Sequence, residues 1–100
     1  MKYLQLKRGN ALLGTLQVID LDQPWFICEF VRASGFESVK PLFDEELALL
    51  EGSDNFDIDA WENAYSRIDD LGLQLVPTDG GTPIDEFVLH IDGQEARFRY

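Results

Sequence analysis

One hundred residues suffice for one modest core and are too few for two. Hydrophobic residues at 45% and charged residues at 27% are ordinary globular values, so disorder is not expected. Nineteen Asp and Glu against eight Lys and Arg leave a net charge of −11. Such a surface repels phosphate backbones and anionic membranes, so neither nucleic acid nor membrane is expected as a partner. A basic partner would be steered toward it, with a strength that salt reduces.

Cys28 is the single cysteine, which excludes an internal disulfide. Its place between Phe26 and Phe30 predicts a buried, inert thiol. MKYLQLKRGN has neither the apolar core nor the cleavage site of a signal peptide, and no apolar run approaches the ~20 residues of a membrane span. A cytoplasmic protein is the expectation.

Lys2 to Lys7 alternates, with Leu4 and Leu6 on one face. A three-residue loop at Arg8-Gly9-Asn10 would set Leu6 opposite Leu12. Leu12, Gly14, Leu16 and Val18 then line the inner face of a second strand, and Leu13 and Ile19 fall outside. A two-residue Gly9-Asn10 loop would swap those faces. After the break at Asp20 to Pro24, WFICEFVR reads as a strand apolar on both sides, Phe26, Cys28 and Phe30 against Trp25, Ile27 and Val31.

From Ser38 the period becomes helical, with Val39, Leu42, Phe43, Leu47 and Leu50 on one stripe. Asp44, Glu45 and Glu46 gather on or near the other face. A second helix is predicted from Asp57 or Asp59, where Asp59 and Glu62 have capping-box spacing, to a stop at Gly72. Its stripe is Ile58, Trp61, Tyr65 and Ile68. A short strand, Leu73 to Val76, and the loop TDGGTP lead to a closing hairpin, Ile84 to Tyr100.

In that hairpin Asp92-Gly93 suits a two-residue type I′ turn. Phe87, Leu89, Ala96 and Phe98 then share an apolar face. The opposite face pairs His90 with Glu95, Val88 with Arg97 and Glu86 with Arg99. The order βββ-αα-βββ implies an α+β domain: an antiparallel five- or six-stranded sheet with a helical hairpin on one face, or a partly closed barrel.

Few residues point to chemistry. His90 is the one histidine, but no spacing supplies a nucleophile or second acid–base group. The run Ser53 to Asp59 has carboxylates at a calcium-like spacing without the glycine and bidentate glutamate of an EF-hand, and helix capping explains it better. Gly80-Gly81 leads into a strand, whereas phosphate loops lead into a helix. No cofactor and no metal site is expected. Arg97 and Arg99 share a strand face with His90, with Lys2 and Lys7 nearby if the first and last strands are neighbours; Trp25, at a strand entrance, is the candidate contact aromatic.

The pieces DQPWFICEF, FESVKPLFDEELALLE and LHIDGQEARFRY resemble those of small bacterial proteins with no assigned activity, a resemblance that implies no catalytic or ligand residue. The first expectation is a non-enzymatic interaction domain, of adaptor or immunity type, for a basic protein partner. The alternative is an anionic-ligand-binding or catalytic domain using His90, Arg97, Arg99 and Trp25. Self-association through Leu13, Ile19, Ile27 and Val31, as a homodimer, is the third.

Overall fold

The computed structural model describes residues 2–51 and 57–100. The chain runs β1 (Tyr3–Arg8), β2 (Ala11–Asp22), β3 (Trp25–Arg32), a 3₁₀ turn (Ser34–Ser38), α1 (Lys40–Glu51), α2 (Ile58–Asp69), β4 (Leu73–Pro77), β5 (Val88–Asp92) and β6 (Glu95–Arg99). The strands form one antiparallel sheet in the order β4-β1-β2-β3-β6-β5, curled into a half-barrel. The α+β layout and the helical hairpin are as the period change at Ser38 predicts.

Turn chemistry fixes the register, and in both hairpins it does so differently from expectation. The first loop is the two-residue Gly9-Asn10, with Arg8 opposite Ala11 and Lys7 opposite Leu12. Leu12 therefore points outward. A bulge then restores the pleat, so that Leu6 faces Gly14 and Leu4 faces Leu16 on the inner side. Leu13, expected outside, is the extra residue; it is 2% exposed and its side chain packs against Gly35 in the 3₁₀ turn. This removes it from any surface for self-association. Gly14 is required where it stands, because a Cβ there would meet the Phe30 ring and the Val31 carbonyl oxygen.

In the closing hairpin the loop is Gly93-Gln94, and Asp92 pairs with Glu95. Gly93 has φ +62°, as the first central position of either primed turn requires. Faces survive the slip because each residue moves by one full pair: Leu89 now faces Phe98 and Ile91 faces Ala96, all buried. The charge pairs do not survive. His90 lies opposite Arg97 and Val88 opposite Arg99, so the His90–Glu95 and Glu86–Arg99 pairings are not formed.

The core fills the concave side. Leu4, Leu6, Leu16, Cys28, Phe30, Phe98 and Leu75 from the sheet meet Val39, just before α1, and Phe43, Tyr65 and Ile68 from the helices. Cys28 has no exposure, and burial pushes its thiol up to about 12, which keeps it protonated and unreactive. Asp57, rather than Asp59, caps α2: its Oδ1 accepts from the amides of Asp59 (3.0 Å) and Ala60 (3.2 Å). Residues 53–56 of the calcium-like run lie outside the described residues.

Strand β5 is a sheet edge, and α2 covers it. Tyr65 Oη accepts from the Leu89 amide at 2.7 Å and donates to the Phe87 carbonyl at 3.3 Å, closing backbone groups that an open edge would present. Burial pushes the Tyr65 phenol up, the charges of Asp69 and Glu46 adding to it, while the Leu89 N–H acts the other way. The folded phenol thus ionises later than an unfolded one. Its contribution to stability is intact below the usual tyrosine pKa of about 10 and falls as pH rises above it. Tyr65→Phe is expected to flatten that alkaline decline in urea midpoints taken between about pH 8 and about pH 11. At neutral pH the same change should cost about 1–3 kcal/mol, because the Leu89 amide is left without a partner.

Candidate functional site

Strand β5 is buried on both sides, although it is an edge. Leu89 and Ile91 enter the core, and His90, on the opposite side, is only 6% exposed. What covers it is a carboxylate. Glu46 of α1 is completely buried, and its Oε1 lies 2.6 Å from His90 Nδ1 and accepts the Trp61 Nε1–H of α2 at 2.8 Å. The imidazole contact is close but lacks the alignment of a hydrogen bond, and Glu46 Oε2 has no partner among the described residues. One buried acid therefore joins α1, α2 and β5.

The expected solvent position of Glu46 is thus corrected. It stands seven residues after Val39, three after Phe43 and four before Leu50, which is the apolar stripe itself. Helical spacing alone marked it; its charge concealed it. The expected His90–Glu95 pair is likewise replaced by the contact with Glu46, because the helices wrap the edge and the hairpin is one pair out of the expected register.

The four residues singled out from the sequence come together. The imidazole of His90 lies between two indoles, with ring centroids 5.2 Å from Trp25 and 6.5 Å from Trp61. The guanidinium of Arg97 is 5.9 Å from the Trp25 ring centroid, and that of Arg99 is 5.5 Å from it. Such contacts contribute about 0.5–1 kcal/mol at exposed sites. Among the described residues neither arginine has a carboxylate within 4.0 Å. Lys2 and Lys7 do not join them, since β2 and β3 separate β1 from β6.

Three concavities lie at or beside this face. One, of about 600 Å³, takes in Arg99 with Asp69, Asp85 and Glu86. Another, of about 240 Å³, is lined by Leu47, His90, Asp92, Glu95, Ala96 and Arg97. The third, of about 580 Å³, opens past the other end of β3 over Phe30, Phe36 and Ile91. The cations on its wall are already paired, Lys40 with Asp44 at 2.7 Å and Arg32 with Glu37 at 2.9 Å. Searches of protein-family models, curated proteins and solved structures found no match to this chain.

Removing the acid tests its structural weight. Glu46→Ala strands the Trp61 N–H and His90 in the interior and should cost about 3–5 kcal/mol, read by urea denaturation with circular dichroism. Trp61→Phe, which deletes one hydrogen bond to the acid and leaves the His90 contact, should cost about 1.5–3 kcal/mol. A Glu46→Ala cost no larger than that of a surface substitution would show that the helices are held elsewhere.

Proposed function

We propose that this domain binds an anionic group, a carboxylate or a phosphate, against Trp25, Arg97 and Arg99, without performing chemistry on it. The supporting observation is that two guanidiniums share one indole ring and neither has a carboxylate within 4.0 Å among the described residues. A guanidinium is a planar fork that matches the two oxygens of a carboxylate or phosphate. Resting both on Trp25 restricts their rotamers before a ligand arrives, which lowers the ordering cost of binding.

Two charge-assisted contacts on an exposed face suit a weak site, with a Kd for inorganic phosphate of about 1 mM. Titration with inorganic phosphate at low ionic strength should shift the Trp25 indole N–H resonance in a saturable way. Sodium chloride at matched ionic strength should not. Combining Arg97→Ala with Arg99→Ala should abolish the shift, and an unchanged response in that variant would overturn the reading.

A basic protein partner is a second reading, with its own support. Val31 is 70% exposed at the lip of the 580 Å³ concavity, and Glu29 is the wall carboxylate there without an ion-pair partner among the described residues. That combination suits an apolar side chain flanked by a cation. A second copy of a chain at −11 is a poorer fit on charge. Retention of a partner from the native host at low salt, lost at high salt and lost with Val31→Lys, is the expected result; retention that ignores the Val31 change would refute this surface.

A further inference from the structure

The outer face of β3, β6 and β5 is arranged in rows. Ile27, Arg97 and His90 form one row; Glu29, Glu95 and Asp92 form the next. The second row sets three carboxylates on adjacent strands, each directly opposite its neighbour, an arrangement that destabilises a sheet. No cation of the chain within the described residues lies within 4.0 Å of any of the three. The two rows are about 7 Å apart along the strands. The 240 Å³ concavity takes in both: Arg97 and the nine-tenths-buried His90 on one side, Asp92 and Glu95 on the other.

We propose that the ligand of this site is a small zwitterion, its carboxylate or phosphate on Arg97 and its ammonium between Asp92 and Glu95. The inference rests on the anion-binding reading above and adds the second charge and the size. An ammonium is suited to the acid row because it donates hydrogen bonds to separate oxygens, and it relieves the opposed carboxylates. A metal ion is less suited, since no three acidic, His or Cys side chains converge to hold one among the described residues. The cavity lies just below the range of about 300–1,000 Å³ that takes drug-sized ligands, which favours a compact molecule with a few methylenes between its charges.

The probes are γ-aminobutyrate, butyrate and butylammonium, compared with inorganic phosphate at one ionic strength by amide and side-chain NMR shifts of Arg97, Asp92 and Glu95. The zwitterion should bind about tenfold more tightly than butyrate, the worth of one added charge-assisted hydrogen bond. Glu95→Gln should bring γ-aminobutyrate down to the level of butyrate and leave phosphate binding in place. Arg97→Gln should weaken γ-aminobutyrate, butyrate and phosphate together. If butyrate matches γ-aminobutyrate, the acid row plays no part and the zwitterion proposal falls while the anion reading stands. Loss of phosphate binding as well, in the unaltered protein, takes both down.

Discussion

A carboxylate placed in the interior is tolerable only when other polar groups receive it, and this fold is arranged around meeting that demand. Removing an acid from water costs several kcal/mol, which hydrogen bonds and a nearby imidazole must offset. Glu46 finds the Trp61 indole N–H on α2 and the His90 ring on β5. Because its two partners come from different elements, its requirement is also a geometric instruction. The helical hairpin must lie across the edge strand, and only then does Tyr65 reach the Leu89 amide and the Phe87 carbonyl that the edge would otherwise expose. The imidazole, held from behind, in turn supports the indole of Trp25 on the outer face.

The layout was legible because faces and registers are separate properties. Period-two alternation settles which residues share a face. It put Leu89 and Phe98 on the buried side, and a slip of one full pair leaves that unchanged. Pairing depends on which two residues occupy the loop, and Asp92-Gly93 and Gly93-Gln94 both put a glycine where positive φ is needed. Sequence preference alone ranked them in the wrong order. The first hairpin adds a second lesson. Its shorter loop turned Leu12 outward, and a bulge at Leu13 recovered the register. The sequence carries no mark of that bulge, since Leu12 and Leu13 are chemically alike; what distinguishes them is the gap above Gly35 that only the folded chain provides.

The candidate site was legible in its outer layer and hidden in its inner one. Trp25, His90, Arg97 and Arg99 follow from alternation, once β3 and β6 are neighbours. Glu46 was hidden because an acid flanked by Asp44 and Glu45 reads as part of a solvated run, although its position repeats the spacing of Val39, Phe43 and Leu50. Trp61 was placed on the helix stripe but could not be given a partner, because its acceptor lies fifteen residues away on another helix. Lys2 and Lys7 were grouped with the arginines on an assumption about strand order, which no local pattern could supply.

What remains is why two arginines have no ion-pair partner among the described residues of a chain with nineteen Asp and Glu. Glu95 precedes Arg97 by two residues on the same face of β6, well within reach of a long side chain. Yet the guanidinium rests over Trp25. An exposed ion pair contributes about 0–1 kcal/mol, and an exposed cation–π contact about 0.5–1 kcal/mol, so the two poses are nearly equal in energy. The indole decides between them by being rigid. Trp25 is held by its own strand and by the buried imidazole, whereas a pair with Glu95 must order a second flexible side chain. The consequence is a face on which opposite charges sit side by side without neutralising one another. Such a face keeps a cationic end beside an acidic one, and the imidazole that Glu46 backs lies against the indole under the cationic end.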